Sequence, residues 1–397
     1  MKHNWEYKPV SEIFDTVTDF VAAGSFADLR ENVIYNNEQD FAQLIRTTDL
    51  KNNFSNSQFV YVNEHAFNYL WRVNLAEECI ILPNIGNCGE VYYLHPSMLI
   101  YPNNVLGPNA IMVRSKKHNQ KYLAFALKGK YFQHQLFQIV SQVAQSKFNK
   151  TNLKKLIVPV PSLEVQERIV AELDKINETI EDCRELLRIL DALAQSLFYD
   201  FFGDPITNPK KWQIKKIKEI GKVITGSTPS TKVEDYYNSH DICFVKPGDI
   251  DNSISYISDT KDYISNFAFD SCCRKLPMGT VVVTCIGIIG KVGILKVQAN
   301  CNQQINAVIP FDAINNIYLA YILKEYAPLF TDAATGPVVK ILNKSSFSEF
   351  SIPLPPLELQ EKFAARIEQI EEQKKSVEQT IAELQTLLDS RMDYWFN

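Results

Sequence analysis

Two stretches of this sequence decide its architecture because they repeat each other: LIVPVPSLEVQERI at residues 156–169 and FSIPLPPLELQEKF at residues 350–363. Every matched position is separated by 194 residues, and the identities include both prolines of a Pro-x-Pro pair and a Leu-Glu-x-Gln-Glu run. Repetition of this quality indicates two copies of one structural unit within a single chain.

The similarity extends beyond these two stretches. WEYKPVSEI at residues 5–13 resembles WQIKKIKEI at 212–220, and LIRTTDL at 44–50 resembles FVKPGDI at 244–250. The separation changes along the chain, so we expect the two copies to differ in loop length. Each copy is predicted to be a mixed lobe of strands and helices, followed by one long helix.

The segment after each Pro-x-Pro pair has the periodicity of a coiled coil. Apolar residues follow one another in steps of four and three from Ile169 to Leu197, and the second copy keeps the same register from Phe363 to Trp395. This repeat predicts two long helices, which should begin near the prolines and, in the first copy, end at Gly203. About 36 residues at ~1.5 Å each make a helix ~55 Å long.

A lysine interrupts the apolar seam in the middle of the second helix. Lys374 stands where the first copy has Ile180. Either Lys374 is a polar residue between the helices that fixes their register, or the helix turns locally toward solvent.

Within the lobes, short apolar runs bounded by glycine and polar residues predict strands, and two longer stretches predict helices near residues 122–136 and 317–330. The fold class is therefore α+β. The predicted strands are residues 79–82, 91–94 and 110–114 in the first copy and 281–284, 292–295 and 307–310 in the second.

The composition is that of a globular protein, with 46% hydrophobic and 22% charged residues among 397. No apolar run reaches the ~18 residues that span a membrane, and the first residues have no apolar signal core, so we expect neither a membrane anchor nor export. Eight cysteines without a Cys-x-x-Cys pair predict reduced thiols in a cytoplasmic protein rather than disulfides or a zinc site.

The net charge of −5 is unevenly distributed. Residues 162–200 carry −6 and residues 356–397 carry −4, so the rest of the chain carries +5. The acidity lies on the two predicted long helices and the lobes are mildly basic, which permits DNA binding without requiring it.

This order of elements, a lobe, a Pro-x-Pro helix start and a heptad helix, each occurring twice, resembles the specificity subunit of type I restriction–modification systems. The resemblance covers essentially the whole chain. Its most specific parts are VPVPSLEVQ at 158–166 and IPLPPLELQ at 352–360, and GSTP at 226–229 also looks like the family. The first lobe departs from the family at the equivalent loop, where AAGSF at 22–26 has no Thr-Pro.

The resemblance implies two pseudo-symmetric globular target-recognition domains separated by two long antiparallel coiled-coil helices. The first domain would occupy residues 1–157 and the central helix 158–203. The second domain would occupy residues 204–351 and the C-terminal helix 352–397.

The resemblance also implies a function. Each lobe would read one half of a bipartite target in double-stranded DNA, and the length of the helices would fix the gap between the half-sites. Two methyltransferase subunits would dock on the helices, and restriction subunits would complete a nuclease for phage defence. The chain itself would bind no cofactor, since S-adenosylmethionine would belong to the methyltransferase subunits, and ATP and Mg²⁺ to the restriction subunit.

Sequence-specific DNA binding needs groups that contact phosphates and groups that read base edges. Polar residues of these types on predicted loops are candidates for DNA contact, and the alternative is that they only solvate turns. The candidates in the first lobe are Arg46, Thr47, Asn84, Asn87, Asn109, Lys116, Lys117, Lys147, Asn149 and Lys150. Those in the second lobe are Ser227, Thr228, Lys232, Lys246, Lys291, Asn302, Gln303, Gln304 and Lys340.

Two further sets of residues recur in both copies. Asp49 and Asp249 each follow a strand-like segment, where a carboxylate either caps a turn, the more frequent role, or accepts a hydrogen bond from cytosine. The helix starts are candidates for docking partner subunits, through Pro159, Pro161, Gln166, Pro353, Pro355 and Gln360. No histidine or cysteine pattern predicts a metal site.

Two other functions compete with this one. A self-sufficient DNA methyltransferase would need a glycine-rich cofactor loop and an Asn/Asp-Pro-Pro-aromatic tetrapeptide, and an ATP motor would need a Gly-x-x-x-x-Gly-Lys-Ser/Thr loop. The sequence has none of these motifs, so we predict that the chain is not an enzyme. The other alternative is a coiled-coil scaffold that binds proteins and no DNA.

Overall fold

The computed structural model describes residues 5–55, 58–140, 146–336 and 339–397. Its contacts divide the chain into a first unit, residues 1–182 and 381–397, and a second unit, residues 183–380. Both divisions fall within long helices, so each long helix contributes one part to each unit.

The described part of the first unit has three sheets. Its strands are β1 (Glu6–Pro9), β2 (Thr16–Asp19), β3 (Ala42–Ile45), β4 (Val60–Val62), β5 (Cys79–Pro83), β6 (Tyr92–Leu94), β7 (Asn104–Leu106), β8 (Ala110–Arg114) and β9 (Ile157–Val160). The sheets have the strand orders β1-β9, β2-β8-β5-β6 and β4-β3-β7.

The second unit repeats this arrangement. Its strands are β10 (Gln213–Lys216), β11 (Gly221–Thr225), β12 (Ile242–Val245), β13 (Ser255–Ile257), β14 (Tyr263–Ile264), β15 (Val281–Thr284), β16 (Val292–Leu295), β17 (Ala299–Cys301), β18 (Ile305–Pro310) and β19 (Ser351–Leu354). The orders are β10-β19, β11-β18-β15-β16-β13 and β14-β12-β17, so β13 extends the central sheet by one strand.

The duplication is clearest in the three-stranded sheets. Strand β3 pairs antiparallel with β4 and parallel with β7, and β12 pairs antiparallel with β14 and parallel with β17. The mixed pairing of a central strand is therefore built twice, which confirms the internal repeat and the α+β class. All six predicted strands coincide with or overlap observed ones.

The helices of the first unit are α1 (Val10–Ile13), α2 (Phe26–Asn32), α3 (Thr47–Lys51), α4 (Glu64–Tyr69), α5 (Gln120–Lys128), α6 (Lys130–Ile139) and α7 (Lys150–Leu153), followed by the long helix α8 (Leu163–Phe202). The later ones are α9 (Ile217–Ile220), α10 (Asn266–Ser271), α11 (Asn316–Glu325), α12 (Ala327–Ala333), α13 (Lys344–Glu349) and the long helix α14 (Leu357–Phe396). The stretches predicted to be helical near residues 122–136 and 317–330 are helical, and each contains two helices, which are separated at Gly129 and at Tyr326.

The two long helices have 40 residues each, which makes each about 60 Å long and slightly longer than the heptad pattern predicted. Helix α8 ends as expected at Gly203, which adopts a left-handed conformation with φ +76 that glycine favours. Both helices start after the second proline of their Pro-x-Pro pair, at Leu163 and Leu357.

Within each unit the two helical segments run antiparallel. In the first unit Arg168 of α8 lies over the ring of Trp395, and Glu172, one turn later, pairs with Arg391, one turn earlier in α14. In the second unit Asp191 of α8 pairs with Lys374 of α14. Phe198, which follows Asp191 in α8, contacts Phe363, which precedes Lys374 in α14.

Lys374 is accommodated between the helices rather than turned to solvent. Its side chain is only 13% exposed, and its ammonium group lies 2.8 Å from a carboxylate oxygen of Asp191 and 3.0 Å from one of Glu371. An ion pair that joins two helices has only one good register, so the structure favours the register role over the solvent-facing alternative.

Each unit buries its own core. In the first unit Ile169 and Leu173 of α8, and Trp395 and Phe396 of α14, pack into the apolar cluster of the lobe, and in the second unit Phe363 and Phe198 do the same. Buried aromatic side chains of this size contribute strongly to stability, so the helices are integral to the lobes rather than appended to them.

Candidate nucleic-acid interface

A buried glutamine fastens the start of each long helix to its lobe. Gln166 is fully buried; its side-chain oxygen accepts from the backbone N–H of Asn119 (3.0 Å), and its amide nitrogen donates to the carbonyl of Pro161 (2.9 Å). Tyr122 completes this network by donating its hydroxyl to the carbonyl of Pro159 (2.9 Å). Burial raises the pKa of Tyr122, so its hydroxyl stays a donor.

The second unit repeats the network. Gln360 is also fully buried; it accepts from the N–H of Asn315 (2.9 Å) and donates to the carbonyl of Pro355 (2.7 Å). Tyr318 donates to the carbonyl of Pro353 (2.7 Å). These bonds explain why glutamine recurs at the same distance from the prolines in the two copies; the prolines themselves contribute only backbone carbonyls to the network.

This network bears on the six residues predicted to dock partner subunits. All six are buried within their own units, and the side-chain hydrogen bonds of the two glutamines give these an internal structural role that accounts for their recurrence. Docking through these side chains stays a prediction without support from their geometry. The six are Pro159, Pro161, Gln166, Pro353, Pro355 and Gln360.

In the first unit, loops that follow or precede strands β3, β5, β7 and β8 meet at one edge. The N–H of Gly107 donates to the carbonyl of Ile45 (2.8 Å), the N–H of Asn84 to that of Asn109 (3.0 Å), and the N–H of Phe148 to that of Asn84 (3.1 Å). We call residues 46–47, 84–87, 107–109 and 146–150 the first polar edge. It gathers eight of the ten candidates of this lobe: Arg46, Thr47, Asn84, Asn87, Asn109, Lys147, Asn149 and Lys150.

The remaining two candidates, Lys116 and Lys117, lie elsewhere. The backbone N–H of Lys116 donates to the carboxylate of Asp15 (2.6 Å). Lys117 lines a groove beside Ser162 and Leu163, where helix α8 starts. Both lysines are exposed, and their position associates them with the helix start rather than with the first polar edge.

The second unit has an equivalent edge. The N–H of Ser227 donates to the carbonyl of Cys301 (2.8 Å), the N–H of Asn302 to that of Val245 (3.1 Å), and the N–H of Cys285 to that of Gln304 (2.8 Å). We call residues 226–228, 246–247, 285–286 and 302–304 the second polar edge. It gathers Ser227, Thr228, Lys246, Asn302, Gln303 and Gln304.

Gly226 makes this edge possible. A Cβ atom at this position would overlap the carbonyl oxygens of Cys301 and Asn302, so only glycine lets the loop after β11 lie directly on the segment after β17. The neighbouring Thr228 hydroxyl then bonds the side-chain oxygen of Gln303.

An aspartate organises the turn at the end of the central strand in each three-stranded sheet. The carboxylate of Asp49 accepts from the backbone N–H of Arg46 (2.8 Å), and that of Asp249 accepts from the N–H of Lys246 (2.8 Å). Asp49 is fully buried and also receives two bonds from the guanidinium of Arg46, which raises the pKa of Arg46. Both aspartates therefore cap turns, the more frequent of the two expected roles.

Several candidate side chains are engaged within the chain. Lys150 pairs with Asp19 (2.8 Å), and the Lys291 ammonium donates to the carbonyl of Ile250 (2.8 Å). The Lys246 ammonium forms an ion pair with the carboxylate of Asp262 (2.8 Å). The exposed candidates at or near the two edges are Asn87, Asn109, Lys147, Asn149, Thr228, Lys232, Gln303 and Lys340.

The structure has a cavity at the first polar edge that the sequence analysis did not predict. It has a volume of about 300 Å³, and exposed Phe26, Arg30 and Tyr35 line it together with Asn84 and Asn109. The capping box that starts α2, a serine followed three residues later by an aspartate, was the local signal that could have placed a helix there.

Across the described residues, no group of three or more histidine, cysteine or acidic side chains is arranged to hold a metal ion. In the same residues no helix combines the length and apolarity needed to cross a membrane. All eight cysteines are free thiols.

Comparison with known proteins agrees with the presence of two repeated units. The family described as type I restriction modification DNA specificity domain matches the chain twice, at residues 2–189 and 209–386. The chain is 37% identical over 160 residues to the type I restriction enzyme MjaIX specificity subunit of Methanocaldococcus jannaschii, covering 39% of this chain and 37% of the relative. It is 31% identical over 155 residues to the HindI specificity subunit of Haemophilus influenzae, covering 38% and 33%.

These alignments span only about a third of the relatives' own length. A solved structure described as showing complex assembly and conformational transition of the type I R-M system superposes with a TM-score of 0.59 at 16% identity, covering 99% of this chain and 97% of the other. That similarity supports the fold. Because the family model matches twice and covers most of its length, the chain belongs to the type I restriction modification DNA specificity domain family.

Proposed function

We propose that the chain is the DNA-specificity subunit of a type I restriction–modification complex, in which each lobe reads one half of a bipartite target in double-stranded DNA. The observation that carries the proposal is the pair of polar edges. The same kind of loop cluster, rich in amide, hydroxyl and basic side chains, is built twice at equivalent ends of equivalent strands. Amide and basic groups of this kind are suited to base edges and phosphates.

The long helices are proposed to dock two methyltransferase subunits, which restriction subunits can join. The docking surface would use exposed side chains of α8 and α14, because the Pro-x-Pro and glutamine residues at the helix starts are buried. The chain would be non-catalytic and cytoplasmic. S-adenosylmethionine would act in the methyltransferase subunits, and ATP and Mg²⁺ in the restriction subunits.

Mapping N6-methyladenine across the genome tests this proposal, in cells that carry the chain with its neighbouring methyltransferase and in cells from which the chain is deleted. The proposal predicts one bipartite motif with a fixed gap that loses methylation on deletion and regains it when the gene is restored. Unchanged methylation, with no split motif, would move the non-DNA-binding scaffold to first place.

A further inference from the structure

The cavity next to helix α2 has a lining suited to an apolar group. We propose that it receives the 5-methyl group of a thymine, so that a T·A pair is a sequence determinant of the half-site that the first lobe reads. This inference rests on the proposed function and specifies the base chemistry at one of its two reading edges.

The floor and wall of the cavity are apolar. Phe20, Leu29 and Val33 form the floor and are 6%, 5% and 8% exposed. Val21 and Phe26 also line the cavity and are 44% and 75% exposed, so together with the floor they form one contiguous apolar surface that solvent reaches. The cavity is therefore open to a group from outside and attracts an apolar one.

The rim of the cavity is continuous with the first polar edge. Asn84 and Asn109 line the cavity and are joined by a backbone hydrogen bond (3.0 Å). The side-chain amide of Asn84 donates to the carbonyl of Phe148 (3.2 Å), so the exposed Asn109 is the one of the two that presents its amide to a base. Asparagine amides match the hydrogen-bonding edge of adenine, and apolar contact matches the methyl group of its partner thymine. The two chemistries that identify a T·A pair in the major groove thus lie side by side.

The charge at the rim suits a polyanion. Asp19 is the one acidic side chain that lines the cavity, and its carboxylate is paired with the ammonium of Lys150 (2.8 Å). Arg30 also lines the cavity and is exposed. No uncompensated carboxylate in this lining therefore opposes a phosphate backbone.

A base swung completely out of the duplex would fit this lining poorly. It would bring several hydrogen-bonding groups into a cavity whose walls are mostly apolar, and burying such groups without partners is costly. A methyl group on the edge of a stacked base needs only apolar contact. The geometry therefore points to readout of a base that stays in the duplex.

The described part of the second unit has no counterpart of this feature. Between β2 and β3 the first unit has α2, whereas between β11 and β12 the second unit has only a short 3-10 turn, residues 234–236. The thymine readout is thus assigned to the first lobe alone, and the two lobes differ in the chemistry with which they read DNA.

The test uses the chain in complex with its methyltransferase subunits and a duplex that carries the full motif. Each thymine is replaced in turn by deoxyuridine, which lacks only the 5-methyl group, and the Kd is measured by fluorescence anisotropy. One buried methyl is worth about a fourfold change in affinity, so one position should bind about fourfold more weakly. In the Phe26→Ala complex that same position should lose its sensitivity to deoxyuridine.

The matched control is Phe267→Ala, because Phe267 is an aromatic residue of similar exposure (60%) in the first turn of α10 in the second unit. It should keep the sensitivity of the wild type. Val21→Ala, a smaller truncation of the same wall, should reduce the sensitivity in part. The inference is overturned if no thymine is sensitive, or if Phe26→Ala leaves the sensitivity intact. If the proposed function itself were wrong, the result would be different, because the complex would then bind no motif in preference to other DNA.

Discussion

Removing the hydrogen bonds of Gln360 should loosen the start of helix α14. In Gln360→Leu the side chain keeps nearly the same volume, but the N–H of Asn315 and the carbonyl of Pro355 lose their partners. A buried backbone group without a partner costs about 1–3 kcal/mol, so two such groups should lower the free energy of unfolding by about 2–6 kcal/mol.

Two measurements check this prediction. Urea denaturation gives the loss of stability, and amide hydrogen exchange at Asn315 reports the local change. A local loss of about 2 kcal/mol should accelerate that exchange about thirtyfold. The control is Gln369→Leu, since Gln369 is exposed on the same helix and should change the stability by no more than about 0.5 kcal/mol. Equal effects of the two variants, or unchanged exchange at Asn315, would refute the role of Gln360.

Three further predictions follow from single contacts. Gly226→Ala should displace the loop after β11, lower the free energy of unfolding by about 1–3 kcal/mol through overlap with the backbone, and weaken DNA binding by the intact complex about tenfold, as Tm and anisotropy would show. Lys374→Met should leave the carboxylate of Asp191 without its partner and lower the free energy of unfolding by about 1–2 kcal/mol, measured by denaturation; an unchanged or increased stability would contradict a net stabilising contribution of this ion pair. Glu172→Gln tests a pH dependence, because the hydrogen bond from Arg391 lowers the pKa of Glu172 in the folded state. The stabilisation, about 0.5–1 kcal/mol for this part-exposed pair, should be fully present above the unfolded pKa of about 4.3 and be lost as the pH falls through the lower pKa of the folded state. A difference between wild type and Glu172→Gln that did not vary between pH 7 and pH 3 would contradict that assignment.

The sequence predicted the features that depend on local pattern. The two long helices follow from seven-residue periodicity, and their start and the end of α8 follow from proline and glycine. The predicted strands are well matched because they are apolar runs bounded by turn residues. The breaks at Gly129 and Tyr326 were missed, since apolar periodicity continues across each of them.

The candidate site was predictable in part. The residue types at the two polar edges could be chosen from the sequence, but which of them meet depends on strand order, and strand order depends on long-range pairing. Arg46 and Lys291 illustrate a second limit, because their cationic groups are held by Asp49 and by the carbonyl of Ile250. A sequence pattern gives the chemistry of a side chain but not the contacts that already occupy it.

The duplicated glutamine network shows how a motif can recur for an internal reason. Gln166 and Gln360 suggested partner docking because they stand at matched positions of the two copies. In the structure each joins the backbone of its own lobe to the first turn of its own helix. Burial is the property that separates the two interpretations, and a single sequence does not report it.

Whether each lobe reads one half-site can be tested by methylation maps of two variants that each change one polar edge. Asn109→Ala alters the first edge and Gln303→Ala the second, and both residues are exposed. The control is Gln298→Ala, because Gln298 is an exposed glutamine that precedes β17 whereas Gln303 follows it. The first two variants should relax the specificity at opposite halves of one motif, with an unchanged gap, and the control should leave the motif intact. Relaxation of the same half by both variants, or of neither half, would contradict the assignment of one half-site to each lobe.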